Sequence, residues 1–239
     1  MPRKRRNKQV IAYVSDDLNK MKSVDAGDKV QFQCTRCGEC CRHVKDGVML
    51  ETLDVFRLAQ HLHQAGDIEG IEDVLNDYAH PLNIVEGVTF PIFLLNTKGK
   101  DDACVFLKDN RCIAQNAKPK TCRLYPFGAT PDDNGGYDFS IVSQKPHHFR
   151  GRTVNVGDWM DTNFTEEDRA FMAADMCELQ RIIPYINAQS AAGNDDFVLK
   201  MVMFFRYINY VLAEPFMPQF ERNMASLYTA LSKGVRACG

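Results

Sequence analysis

The apolar positions of this chain read in two halves. In the first, Val55, Ala59 and Leu62 fall at i, i+4, i+7, and Thr52 stands where a helix cap belongs. This spacing predicts a helix over 52–63. A second short helix is predicted over 68–78, ending before His80-Pro81. Residues 88–96 and 104–112 read as strands, the second turning at Asp109-Asn110. Residues 137–143 form a third strand candidate, entered through the turn-rich 130–136.

The second half reads as helix. Thr165 with Asp168 has the form of a capping box. Met172, Met176, Leu179 and Ile183 then recur at helical spacing, with Pro184 placed to kink or end the helix and 187–196 read as a connection. Phe197, Met201, Phe204, Ile208 and Val211 repeat the spacing, flanked by Val198, Val202 and Phe205, so this helix is expected to be central. Residues 214–218 break it. A last helix carries Phe220, Met224, Leu227 and Leu231, with Gly234 as its stop. These stripes are read as core packing.

Composition changes the picture little. The 239 residues are 45% hydrophobic and 25% charged, ordinary for a globular protein with a real core. A net charge of −2 makes no case for nucleic acid or membrane. The basic run at residues 2–8 is read as a solvated tail. No 18-residue apolar run predicts a membrane helix, and the stretch after the basic start is too short for a signal-peptide core. The chain is expected in the cytoplasm, with an unknown protein or small-molecule partner, and without membrane or nucleic acid.

Cysteine usage changes it more. Nine cysteines are many, and Cys34, Cys37, Cys40 and Cys41 fall within eight residues as C-x2-C-x2-C-C. Thiolates bind soft or borderline metals, and C-x2-C lets two sulfurs reach one ion from a tight turn. In a reducing cytosol, clustered thiols point to metal rather than disulfides. Gly38 permits the backbone that such a loop needs. Neighbouring side chains diverge, so Cys40 and Cys41 are not expected to face one ion alike; two metals, or another task for one of the pair, is expected instead. Cys104, Cys112 and Cys122 follow as C-x7-C-x9-C. The metal ligands are therefore read as Cys34, Cys37, Cys40, Cys41, Cys104, Cys112 and Cys122, with His43 a lesser candidate. His147-His148 is read as loop, and Cys177 and Cys238 as non-ligands. His61, His63 and His80 are given no role. Arg42 and Arg123, each next to a cysteine, are candidates to offset thiolate charge.

The fold class this implies is α+β, mostly α: a metal-bound cysteine-cluster core with a small β element and a C-terminal helical bundle. The expected division is a basic tail and lead-in over 1–29, a cysteine-cluster metal-binding domain over 30–150, and a helical region over 151–239 packed on it.

The stretches "FQCTRCGECCRH", "VMLETLDVFRLAQHL" and "CVFLKDNRCIAQNAKPKTCRLYPFG" together resemble the CxxCxxCC family of cysteine-cluster proteins, described as zinc- or iron-chelating. The resemblance covers roughly residues 30–130 and implies metal binding through the seven cysteines. Ala114 and Lys118 stand where the family more often has an aromatic and an arginine; neither is a ligand. A similar cluster occurs in proteins resembling flagellin lysine N-methylases, which implies an enzyme using S-adenosylmethionine as one option. The residues add nothing to it: there is no C-x3-C-x2-C and no G-x-G-x-x-G.

An all-cysteine set with no histidine partners, gathered from several segments, favours an iron–sulfur cluster over zinc. The leading expectation is redox or group-transfer chemistry at such a cluster. The alternative is a non-catalytic zinc- or iron-binding module acting through a protein partner.

Overall fold

The computed structural model describes residues 21–85, 88–132, 135–143 and 145–234; the side chains of 83–90 are also outside it. The basic run at 2–8 and Cys238 lie outside the described residues. Strands come first: β1 (Met21–Val24), β2 (Lys29–Gln31) and β3 (Met49–Leu50). Helix α1 (Thr52–Ala65) and the one-turn α2 (Ile71–Asp73) follow, the latter running into a π turn over Val74–Tyr78. Next come β4 (Ala79–Val85), β5 (Val88–Leu95) and the two-residue strands β6 (Thr97–Lys98), β7 (Ala103–Cys104), β8 (Leu107–Lys108) and β9 (Arg111–Cys112). Then follow α3 (Lys120–Leu124), β10 (Phe127–Pro131), β11 (Tyr137–Val142), β12 (Thr153–Asn155) and α4 (Val156–Asn163). The chain ends in α5 (Glu166–Ala191), α6 (Asp195–Val202) and α7 (Phe216–Ser232).

The fold is mixed α+β, as the sequence implies, but with more strand than one small element. Among the described residues, two antiparallel three-stranded sheets, β1-β11-β10 and β3-β5-β4, stand beside the pairs β12-β2, β6-β7 and β8-β9. Pro81, read as a helix stop, lies in β4. β4 is the edge of its sheet, where the missing N–H of proline is tolerated.

The strand expected over 104–112 is broken. Cys104 pairs with Thr97, whereas Cys112 pairs with Leu107 across a turn in which Asp109 and Asn110 have φ of 49° and 58°. Asp and Asn tolerate the left-handed region better than most residues, so the turn falls there. The broken run swings two thiols to places that a straight strand would hold apart.

Glu51, not Thr52, caps α1, in a capping box with Asp54. The Thr165–Asp168 capping box opens α5 as expected. Pro184 does not end α5, which continues to Ala191 through most of the expected connection. The buried face of α5 is Phe171, Met172, Ile182 and Ile186, whereas Met176 and Ile183 stay exposed. The buried stripe thus lies partly one position away from the one that the periodicity predicts. Likewise α6 buries Val198 and Val202 and exposes Phe197 and, beyond it, Phe204. After Val202 the chain turns into a π turn over Met203–Ile208, which shifts the face presented to the core. α7 buries Phe220, Met224, Leu227 and Leu231 fully, and Gly234 follows it at φ 77°.

One cluster of buried apolar side chains extends from Val48 to Leu231. Phe171 of α5 meets Phe216 and Phe220 of α7 edge-on at 5.5 and 5.2 Å. Arg206 is buried and forms a two-pronged ion pair with Asp175 at 2.5 and 2.9 Å. No helix among the described residues is long and apolar enough to cross a membrane.

Candidate metal centre

The first cysteine run curls into a 3-10 turn over Glu39–Cys41, entered through Gly38 at φ 77°. That turn aims adjacent side chains the same way. The sulfurs of Cys40 and Cys41 lie 3.9 Å apart, close to the ~3.8 Å edge of a tetrahedral site built on 2.3 Å metal–sulfur bonds. The pair was expected to diverge; the tight turn overrides the divergence that an extended backbone imposes.

Backbone bonds press this loop onto the later cysteines. His43 N–H donates to Asp101 O at 2.7 Å and Val44 N–H to Asp102 O at 3.2 Å. The Arg42 guanidinium binds the Asp101 carboxylate and donates to Asn110 Oδ1 at 2.7 Å. A Cβ on Gly38 would meet Leu107 Cδ1 at 3.1 Å and the Asn110 backbone at 3.2 Å, so only glycine lets the loop approach the β8-β9 hairpin this closely. Cys122 comes from α3, whose first amide, Lys120 N–H, donates to buried Asp54 Oδ1 at 2.8 Å. Glu51 reaches the Lys120 ammonium at 2.5 Å. The start of α1 therefore holds the start of α3.

These contacts bring Cys40, Cys41, Cys104, Cys112 and Cys122 into one neighbourhood, the thiol pocket, where they act on one another's charge, although among the described residues no three of their sulfurs lie within 4.8 Å of one another. A hydrogen bond joins the Cys40 and Cys41 thiols. That bond raises Cys41, as do burial and the charges of Cys40, Cys122 and Cys104; the same bond pulls Cys40 down to about 6. Burial pushes up Cys104, Cys112 and Cys122, and each is raised further by neighbouring cysteines. Crowded, half-buried thiols that resist carrying charge together are what a bound cation relieves. The donor set fits zinc or iron.

Cys37 turns elsewhere. Its sulfur lies 3.1 Å from Nε2 of His148 and 3.6 Å from Nε2 of His147. Among the described residues, this trio alone brings three such donor atoms within 4.8 Å of one another. Burial pushes the Cys37 thiol up, but hydrogen bonds from His148 and Thr35 and from the Glu39 backbone outweigh it and leave it below the ordinary value. Nδ1 of His148 shares a 2.9 Å hydrogen bond with the Tyr125 hydroxyl. Burial and the charges of Cys40, Cys37 and Cys34 raise Tyr125.

The family model CxxCxxCC, "Putative zinc- or iron-chelating domain", matches residues 33–148. The match takes in just under half of the chain, which is similar to the CxxCxxCC family there. No curated protein and no solved structure matches the chain. The family explains the cysteine run and supports metal binding by this chain. The CxxCxxCC match extends past residue 130, where the resemblance read from the sequence ends, and it closes on His148.

Other expectations fall out differently. Arg123 does not face sulfur: it donates to Asp168, Lys118 O and Asn163 O. Arg42 is engaged by Asp101 and Asn110, again not by sulfur. His43 is exposed, and the contacts of its segment are backbone ones. His80 bridges Asn96 and Asp46, and His61 reaches Ile113 O at 3.2 Å. Cys34 and Cys177 are exposed free thiols. His147 and His148, which read as loop in the sequence, lie against Cys37. Their only signal in the sequence was adjacency, 110 residues from that cysteine.

Proposed function

We propose that the thiol pocket is the chelating centre, with ligands drawn from Cys40, Cys41, Cys104, Cys112 and Cys122 and with Cys34 and Cys37 on the loop at its mouth. We favour iron, as an iron–sulfur cluster, over zinc. What supports this is the mutual electrostatic influence of five thiols from three separate chain segments, one more than a closed tetrahedral zinc site uses. An iron–sulfur cluster supplies one-electron or Lewis-acid chemistry when bound. The chain's own contribution is a half-buried, sulfur-lined seat with Lys118 and Lys145 near Cys40 to moderate its negative charge. Redox or group-transfer chemistry in the reducing cytoplasm is the function this favours.

The test is purification without oxygen, with iron, zinc and acid-labile sulfide counted per chain beside a visible spectrum. Several irons with matching sulfide support the reading. One or two zincs and no colour overturn it.

A second reading has its own observation. Between 97 and 117 the chain has only two-residue strands and one short 3-10 turn, too little regular structure to hold itself. A structural metal would act as the staple there, and exposed Met176, Ile183, Phe197, Phe204 and Val211 on the C-terminal segments would meet a protein partner. Loss of a co-purifying protein on Phe204→Ser, with metal content unchanged, would favour this reading.

A further inference from the structure

We infer that Cys37, His147 and His148 form a second metal site, distinct from the thiol pocket, that takes a single borderline divalent cation of the zinc type and leaves a coordination position open.

The donors converge already. A tetrahedral ion with a 2.3 Å bond to sulfur and a ~2.05 Å bond to imidazole nitrogen sets those two atoms ~3.6 Å apart. The observed separations from Cys37 Sγ are 3.1 and 3.6 Å. The two imidazoles pack edge to face at 4.2 Å between centroids, and the three donor atoms lie within 4.8 Å of one another.

The second observation is how His148 is held. The residue is only 3% exposed, and its ring packs edge-on against Phe32 and Tyr125. Its backbone carbonyl accepts from Gln33 N–H at 3.0 Å, which ties it to the approach of the cysteine loop. With the cation on Nε2, the Nδ1–H donates to the Tyr125 oxygen at 2.9 Å. A metal-bound histidine commonly rests its other ring nitrogen on such an acceptor, which fixes both tautomer and ring angle. Buried imidazoles of no function are also hydrogen-bonded, but nothing in ordinary packing requires a second, exposed imidazole to share the same sulfur.

The donor type sets the cation. One thiolate with two imidazoles is a borderline set that suits zinc, whereas the all-sulfur pocket suits softer occupants. Three protein ligands are the count of zinc sites that keep a position for water or substrate, and exposed His147 puts that position toward solvent. This site does not depend on what fills the thiol pocket.

The test uses the full chain, purified without oxygen and titrated with Co(II) as the probe. Expected is one equivalent giving tetrahedral d–d absorption, with charge-transfer intensity for a single thiolate. His147→Ala and Cys37→Ser should each abolish that spectrum and remove one metal per chain, leaving the thiol pocket's metal and colour intact. Cys104→Ser should do the reverse. Tyr125→Phe, which leaves the ligands in place, should weaken Co(II) affinity about 10- to 100-fold. Because His148 is buried, His147→Ala carries the decision, with circular dichroism confirming the fold. An unchanged Co(II) spectrum in His147→Ala overturns the second site. A spectrum of three or four thiolates overturns it too, as does loss of the pocket's own metal in His147→Ala, which would make the trio part of one centre. Failure of the iron–sulfur reading would instead appear in the metal and sulfide content of the parent protein and leave these differences readable.

Discussion

Arg123, next in the chain to Cys122, donates to both carboxylate oxygens of Asp168 at 2.6 Å. Arg57 of α1 takes the same carboxylate at 2.6 Å, and Asp168 also closes the capping box of α5. One carboxylate, 2% exposed, thus joins the segment bearing Cys122, the helix after the cysteine loop, and the long C-terminal helix. Asp168→Asn strips charge from two partly buried arginines at once. The expected loss is about 3–5 kcal/mol, measured by urea unfolding. Burial raises this carboxyl, but the Thr165 bonds and the two guanidinium charges outweigh it and hold it below the ordinary range. With the folded value below the unfolded one, its stabilisation is present above the unfolded value, roughly pH 4, and fades as pH falls through the folded value. Asp168→Asn should flatten that acid limb; an unchanged limb would show that the network does not act on stability.

Asp54 has the opposite sign. Burial, then the charge of Glu51, pushes it up to about 7 against the pull of the Lys120 and Glu51 amides. Between the unfolded value near 4 and that raised value, the folded protein holds a proton that the unfolded chain has lost, so this group costs stability as pH rises through the window. Asp54→Asn removes the titrating group and keeps an acceptor for one of the two amides, since Lys120 N–H and Glu51 N–H bind different carboxylate oxygens. Thermal melts from pH 4 to 8 should show that decline shrink in the variant.

Gly38→Ala tests the loop seat. The added methyl meets Leu107 and Asn110 at 3.1–3.2 Å from a backbone at φ 77°. The cost expected is about 1–3 kcal/mol, with lower metal content as the loop backs away from β8 and β9. Melting temperature and metal analysis on one preparation read both. A variant with full metal and full stability would mean that the loop is not seated on the hairpin.

The thiols should separate by position. Cys104→Ser and Cys122→Ser should each lower the metal of the pocket, whereas Cys177→Ser, an exposed thiol on α5, should leave it unchanged. Chelation should lower the melting temperature, and hydrogen exchange should rise first over 97–117, where regular structure is thinnest. Exchange that rises first in α7 would locate the metal's support elsewhere.

Local chemistry was legible in the residues. C-x2-C-x2-C-C announces metal because few other uses place so many thiols in one turn. The capping box at Thr165, the apolar stripe of α7 and the glycine that stops it follow from short-range rules, and each stands where it was read. These features depend on residues within a turn or two of one another.

What lies between distant residues had to come from the fold. The two-residue strands, the true buried face of α5 and the exposure of Phe197 and Phe204 are set by neighbours far along the chain, which override local periodicity. The arginines after Cys41 and Cys122 could be taken for partners of sulfur until the fold supplied Asp101 and Asp168. His147 and His148 are two ring nitrogens without address in the sequence. Only the pairing of residue 33 with His148, and the turn at Gly38, brings them to Cys37, because a ligand set is a property of converging vectors and not of spacing.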